Sequence, residues 1–237
     1  MSTAERRLRE REERIRSILE AALRVFAREG LRPATMDAIA AEAQLGKGTV
    51  YYYFPSKEAL LEELIARISG EYFRGLLEGA RGRSTPLEIA QGIVEKLIEH
   101  YKRKPELFQV IHMVLGEPEP RPQKALRAFV EAHLRWLQDL ELAVSGVLAD
   151  HGLPVDPFIY LVGTYSHGIL FEAVAGRPPD RLLEEAKSAF AAFLAVVPGP
   201  SRATPKRRTS HKTKAKDEDK DKDKDEDKDK DRDKEGS

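Results

Sequence analysis

A run of hydrogen-bond donors, KGTVYYY at residues 47–53, is the part of the sequence whose side chains most clearly suggest a chemical role. Ammonium, hydroxyl and phenol groups donate to phosphate oxygens, and Lys and Thr side chains also contact base edges. Adjacent helical positions point in different directions, so one buried helix face cannot hold three consecutive tyrosines. Val50 and Phe54 are four residues apart and are expected to face inward, whereas Thr49 and Tyr53 face outward. The side chains predicted to contact nucleic acid are therefore Lys47, Thr49, Tyr51 and Tyr53.

The segment before this run contains a helix and a turn that can position it. Thr35 is a hydroxyl N-cap for the helix, and Gly46 can supply the N-cap of the next one. Residues 44–46 form a tight turn between the two helices. The apolar positions of the first helix have the spacing of one buried face: Met36, Ile39, Ala40 and Ala43. This pattern predicts a helix-turn-helix, whose second helix meets base edges in the major groove.

Two longer helices flank this pair. The first has an apolar stripe from Ile15 to Phe26 and ends at Gly30, so it can complete a three-helix unit. Pro55 ends the short tyrosine-rich helix, and Ser56 caps a long helix that runs to about Gly79. Lys57 lies beside that cap, where an ammonium is well placed to contact phosphate.

The segment from Ile15 to Leu61 resembles the DNA-binding signature of the TetR family of bacterial repressors. The motifs that carry the resemblance are FAREG, ATMDAIA and KGTVYYYFPSKEAL. The family usually has Gly-Val-Ser in the turn, where this chain has Gln44-Leu45-Gly46, so we expect Gln44 itself to adopt the turn conformation. By position, the resemblance implies DNA contacts at Thr35, Lys47, Gly48, Thr49, Tyr51, Tyr53 and Lys57.

The rest of the sequence also predicts helices, which makes the fold all-α with about nine helices. Residues 85–88 form a capping box with proline at the first helical position, and Lys104-Pro105 ends the helix that follows. A loop with three prolines is expected at residues 116–122. Three later helices are expected at about Gln123–His151, Pro157–Ala175 and Asp180–Val197.

The helix at about Pro157–Ala175 is apolar nearly all round, which predicts burial on more than one side. Packing against a twofold-related copy is the simplest way to bury it. The resemblance likewise implies a homodimer formed through the last two helices. We therefore divide the chain into a DNA-binding domain at 1–58, a ligand-binding and dimerisation domain at 59–198, and a tail at 199–237.

The resemblance further implies that the central helices enclose an effector pocket. The mostly apolar candidates suit an apolar or amphipathic molecule, although a buried, hydrogen-bonded His or Trp in the core is the alternative for each polar one. No cofactor is predicted, and no metal site, because Glu131 and Glu172 are not spaced from the nearest histidines as ligands on one helix face. The pocket candidates are Phe108, His112, His133, Trp136, Tyr165 and His167.

Charge and composition limit the remaining possibilities. The formal net charge of the 237 residues is zero, and the absence of cysteine excludes disulfides and thiolate chemistry. The arginine-rich residues 6–16 could lie across phosphates or reach a minor groove, or they could form a solvated, salt-bridged helix end. The tail alternates acidic and basic residues and is predicted to be disordered, with a basic part that could add non-specific DNA affinity. A cytoplasmic, soluble protein is expected, since no apolar segment follows the N-terminal charges.

These features predict a ligand-responsive transcription factor, a repressor that binds a palindromic operator as a homodimer. The first alternative is an activator or architectural DNA-binding protein without a small-molecule effector. The second is a helical enzyme, for which the sequence contains no recognisable catalytic motif.

Overall fold

The computed structural model describes residues 2–116 and 122–196, which form nine α-helices and no strand. The all-α prediction is therefore confirmed. The predicted disordered tail and residues 117–121 of the predicted proline-rich loop lie outside the described residues. The helices are α1 (Thr3–Glu29), α2 (Met36–Glu42), α3 (Lys47–Tyr53), α4 (Lys57–Ala80), α5 (Pro86–Arg103), α6 (Pro105–Gly116), α7 (Gln123–Asp150), α8 (Val155–Val174) and α9 (Pro179–Val196).

Capping residues set several helix ends, as the sequence predicted. Thr35, Ser56 and Thr85 each accept a hydrogen bond from a backbone N–H in the first turn of the following helix. Thr85 forms the expected capping box with Glu88. At the N-terminus, Ser2 forms a capping box with Glu5, and the charged residues 6–16 belong to one continuous α1.

The packing joins the N-terminal helices to the rest through α4. Helices α1 and α2 pack on each other, α2 packs on α3, and α1 also contacts α4 and α6. Helix α4 packs on α5 and α7, and α5 packs on α9. One apolar cluster runs continuously from Ile15 to Phe190. A displacement of α4 would therefore move residues in contact with both the N-terminal helices and the central ones.

Helices α4 and α5 cross at two glycines with no side chain between them. A Cβ built on Gly79 would lie 2.3 Å from the carbonyl oxygen of Gly92, and one on Gly92 would lie 2.1 Å from that of Gly79. One turn earlier, the His100 imidazole covers Gly75, where a Cβ would lie 2.3 Å from Cε1. Glycine is required at this crossing because any side chain would occupy the space of another backbone.

None of the helices within the described ranges is long and apolar enough to cross a lipid bilayer.

Candidate nucleic-acid interface

Helix α3 is held against the core by the two residues that the sequence predicted. Val50 is fully buried, and Phe54, the C-cap residue, is 6% exposed. Both belong to the same apolar cluster as Phe26 of α1 and Ile39 of α2. Because these anchors occupy one side of a two-turn helix, the opposite side of α3 is presented to solvent.

The turn before α3 depends on a strained glutamine. Gln44 has φ of 56° and is the only non-glycine with positive φ in residues 2–116 and 122–196. The Leu45 N–H donates to the Ala40 carbonyl at 2.9 Å, which closes the end of α2. Gly46 then caps α3 with an extended backbone. The prediction that Gln44 adopts the turn conformation is confirmed.

Replacing Gln44 with glycine is therefore expected to stabilise the protein. The left-handed conformation costs a side chain about 1–2 kcal/mol, part of which the greater unfolded-state entropy of glycine offsets. A net gain of about 0.5–1 kcal/mol in the free energy of unfolding is expected in urea titrations. The control, Gln44→Ala, keeps the strain and should gain nothing. Equal gains in both variants would show that the Gln44 side chain, and not its φ angle, is unfavourable.

The three tyrosines differ in exposure. Tyr51 is 48% exposed and Tyr52 is 80% exposed. Tyr53 is half-buried against the core, with its ring edge-on to Tyr52 at 5.2 Å between centroids. The expectation that Tyr53 faces outward is thus met only in part. Tyr53 comes three residues after Val50, so it still lies near the buried face of the helix. Tyr52 was absent from the predicted contacts. It comes two residues after Val50 and therefore lies on the opposite face of the helix, which helical periodicity alone could have shown.

The start of α3 is polar and open. Lys47 forms an exposed ion pair with Asp37 of α2, so its ammonium lies between the two helices. A Cβ added to Gly48 would meet no atom within 4 Å, and the Gly48 N–H belongs to the first helical turn, whose donors lack intrahelical partners. Thr49 is partly exposed beside them. These groups can donate hydrogen bonds to a phosphate or a base edge without rearrangement of the backbone.

The other two predicted contacts, Thr35 and Lys57, have structural bonds. Thr35 accepts from the Ala38 N–H at 3.1 Å, which leaves its own O–H free to donate. Lys57 donates to the carbonyl oxygens of Leu31, Arg32 and Ala34 at 2.9, 2.8 and 2.8 Å. An ammonium has three N–H groups, so Lys57 has none left for a phosphate in this arrangement. The structure gives Lys57 a clear role in closing the loop between α1 and α2.

Ion pairs orient α2 on α1 behind the interface. Arg24 donates to Glu42 at 2.7 Å, and Arg28 donates to the other oxygen of that carboxylate at 3.3 Å. These bonds lower the pKa of Glu42, because a carboxylate that accepts from guanidinium groups resists protonation. Both arginines are at least half exposed, so the pairs orient the helices more than they stabilise them.

The six predicted effector-pocket residues do not line one cavity. Phe108 and Trp136 are core residues, the latter stacked on Phe73 at 5.5 Å. Tyr165 packs on Phe190 beside the α8–α9 groove, and His112 lies against Phe171. Only two of the six share a groove, a space of about 540 Å³ between α7 and α8. These two are His133 and His167, whose rings are 5.1 Å apart.

Polar atoms near this groove lack partners. His133 Nδ1 and Trp136 Nε1 are buried without a hydrogen bond in the part of the chain that the structure describes. The groove is otherwise mostly apolar, with Glu141 and Asp156 among its charged lining residues. No cluster of three or more metal-ligating side chains occurs among residues 2–116 and 122–196.

His133 makes stability depend on pH. Burial, with a smaller effect from His167, lowers its pKa from 6.5 to about 4. The unfolded chain therefore takes up a proton from about pH 6.5 downward, whereas the folded protein does not until about pH 4. Stability is lost across this window as pH falls, by about 1–2 kcal/mol between pH 7.5 and pH 5 after allowance for partial solvent access.

In urea unfolding at pH 7.5 and pH 5, His133→Phe should not show this loss of stability at the lower pH. Phenylalanine keeps an aromatic ring at this position but has no group that titrates. The control, His151→Phe, removes an exposed histidine at the end of α7 and should retain the loss. An unchanged pH dependence in His133→Phe would assign the effect to other groups.

Comparison with known proteins agrees with this arrangement. Residues 18–64, from α1 into α4, match the family described as bacterial regulatory proteins, tetR family. The chain is 27% identical over 186 residues to YvkB of Bacillus subtilis strain 168, an uncharacterized HTH-type transcriptional regulator, covering 73% of this chain and 93% of that one. It is 32% identical over 95 residues to the HTH-type transcriptional repressor KstR2 of Mycobacterium tuberculosis strain H37Rv, covering 39% of this chain and 48% of KstR2.

Solved structures share the fold. A putative TetR-family regulator from Mesorhizobium loti superposes with a TM-score of 0.65 at 24% identity, over 78% of this chain and 96% of that one. FadR of Bacillus subtilis, solved in complex with stearoyl-CoA, superposes with a TM-score of 0.62 at 18% identity, over 73% and 96%. The helix-turn-helix match, the YvkB relative covered over 93% of its length and these solved structures together support a TetR-family transcriptional regulator.

Proposed function

We propose that the chain is a repressor that binds a palindromic operator as a homodimer and leaves it when a small apolar or amphipathic effector binds. The observation that carries the DNA-binding part is α3, which buries Val50 and presents Lys47, Gly48, Tyr51 and Tyr52 to solvent. The protein acts by binding, and no catalytic step is proposed.

The proposed DNA contacts follow from exposure and free donors. Tyr52 joins the set because of its exposure, and Lys57 is left out because its donors are used within the protein. Lys47 can exchange its exposed partner Asp37 for phosphate at little cost. Tyr53 keeps a smaller role, since its side chain is partly buried against the core. The contact set is Thr35, Lys47, Gly48, Thr49, Tyr51, Tyr52 and Tyr53.

The proposed dimer interface is formed by α8 and α9. Tyr160 is 76% exposed and Phe171 59% on α8, and Val196 is 78% exposed on α9. Several large apolar side chains exposed on two neighbouring helices favour an arrangement in which a second copy of the chain buries them. Two α3 helices about 34–36 Å apart would then reach successive major grooves of one operator.

The effector response requires a link from the ligand to α3, and α4 provides one. Three residues separate the end of α3 from the start of α4, and α4 packs along α7, which lines the α7–α8 groove. The fold is shared with FadR, a regulator solved with stearoyl-CoA, which supports an amphipathic ligand for this architecture. If an effector favours one position of α4 and the operator another, each weakens binding of the other by the same factor.

The boundary between the DNA-binding domain and the ligand-binding domain, at residues 58 and 59, remains a proposal. It lies within the first turn of α4.

Fluorescence anisotropy with DNA from the upstream region of the gene tests this function. Thr49→Ala and Tyr51→Ala should each lose about 1–2 kcal/mol of binding free energy while the fold remains intact. Glu141→Gln, on the α7–α8 groove, serves as a control that changes charge away from α3 and should bind as wild type does. Affinity that is weak, salt-sensitive and equal in all four proteins would contradict the proposed recognition helix.

Light scattering and an effector screen test the remaining parts. The α8–α9 interface is supported if light scattering finds a dimer for the wild type and a monomer for Tyr160→Asp and Phe171→Asp. A monomeric wild type contradicts it. Operator affinity that no candidate effector changes would favour the alternative, a DNA-binding protein without an effector.

A further inference from the structure

A pocket of about 320 Å³ between α4, α5 and α6 lies apart from the α7–α8 groove and from α3. We name it the Tyr72 pocket. Its volume is at the lower end of the range for small-molecule sites. The residues that line it are Glu71, Tyr72, His100, Arg103, Lys104 and Leu107.

The Tyr72 side chain contributes a hydrogen-bond donor for which residues 2–116 and 122–196 supply no acceptor. Tyr72 is 4% exposed and packs edge-on to Phe108 at 5.4 Å and to His100 at 6.2 Å. Its hydroxyl makes no hydrogen bond within the described part of the chain. Burial raises the pKa of Tyr72 well above its usual value, so the phenol keeps its proton. Tyr72 lines the pocket, where its O–H can donate to a ligand oxygen in place of solvent.

The other polar side chains of the pocket are mainly cationic or donors. His100 Nδ1 lies 2.8 Å from the Lys96 carbonyl, which can only accept, so Nδ1 carries the hydrogen and the imidazole is fixed. Gly75 leaves the room in which this ring sits. Arg103 contacts Glu99 only at 3.9 Å, and Lys104 makes no ion pair among residues 2–116 and 122–196. Glu71 is the one carboxylate of the lining.

We propose that the Tyr72 pocket binds a small oxyanion, a phosphate or a carboxylate, that accepts from the Tyr72 hydroxyl and lies between Arg103 and Lys104. A guanidinium and an ammonium are the usual partners of such anions, and a neutral O–H completes the site. Glu71 opposes the anion and limits its affinity. This binding does not depend on the proposed operator or on the proposed effector of the α7–α8 groove.

Titration calorimetry with inorganic phosphate and with succinate, at constant ionic strength, tests the proposal. A single saturable site with a Kd on the order of 1 mM is expected for at least one of the two probes. Binding of phosphate alone or of succinate alone identifies the source of the oxyanion. Fluorescence of Trp136, the single tryptophan, gives a second readout, because Phe73 contacts both Trp136 and Tyr72.

Variants separate the pocket from general charge. Tyr72→Phe should weaken binding by about tenfold and should not destabilise the fold, since the lost hydroxyl has no partner. Lys104→Gln should weaken it by about threefold, and Glu71→Gln should tighten it. Lys102→Gln removes the same charge two residues from Lys104, at a lysine paired with Asp180, and should change nothing. The proposal would be overturned if neither probe gave a saturable signal at a concentration of about ten times the expected Kd. Equal affinity of Tyr72→Phe and the wild type would overturn it as well.

Discussion

Gly79→Ala is expected to lower the free energy of unfolding by about 3 kcal/mol or more, the upper range for overpacking. The added Cβ would lie 2.3 Å from the Gly92 carbonyl oxygen, which belongs to a helix backbone and cannot rotate away. Relief requires α4 and α5 to separate along their contact. Thermal unfolding measures the effect, where 1 kcal/mol corresponds to about 2–4 °C for a chain of this size.

Gly70→Ala is the matched control, because it lies on the same helix and a Cβ there meets no atom within 4 Å. It should raise stability by about 0.5–1 kcal/mol, the usual gain from replacing glycine within a helix. Equal effects of the two substitutions would contradict the close α4–α5 crossing. A stable Gly79→Ala protein would show that the two helices have room to move apart.

Lys57→Met is expected to lower the free energy of unfolding by about 2–3 kcal/mol, since hydrogen bonds to a charged group are worth more than neutral ones. Methionine keeps much of the apolar stem but leaves the carbonyls of Leu31, Arg32 and Ala34 without their donor. The loop between α1 and α2 then loses its connection to α4. Urea unfolding of the free protein measures the loss.

Lys47→Met provides the comparison, because Lys47 is exposed in its ion pair with Asp37. Its stability should change by less than about 0.5 kcal/mol, whereas its DNA affinity should fall and become less sensitive to salt. Lys57→Met should leave the salt dependence as it is. A stable Lys57→Met protein whose salt slope falls by about one would instead assign Lys57 to a phosphate, as the family resemblance implies.

The order and ends of the helices could be predicted because they depend on local chemistry. Thr35, Ser56 and the Thr85–Glu88 box cap helices through bonds to residues three positions away. The strain at Gln44 was predictable for the same reason, since the turn needs a left-handed residue and the chain offers no glycine there. Periodicity likewise placed Val50 and Phe54 in the core.

The site residues were less predictable because a side chain's partners lie far away in sequence. Lys57 was assigned to phosphate from its place beside a helix start, but its acceptors are 23–26 residues earlier in the chain. The candidate pocket residues were chosen as polar or aromatic positions on apolar helices. Whether such a residue faces a groove, as His133 does, or the core, as Trp136 does, depends on which helices pack beside it.

The sequence by itself determined the all-α fold, the helix-turn-helix, the caps and the strained turn, since each follows from residues within a few positions of one another. Only the tertiary structure decided that Lys57 closes a loop, that Gly79 and Gly92 bring two backbones together, and that Tyr72 lines a pocket with Arg103 and Lys104. These features arise where separate helices or loops meet. Helical periodicity gives the buried face of each helix, but it does not say which other helix covers that face or in which register.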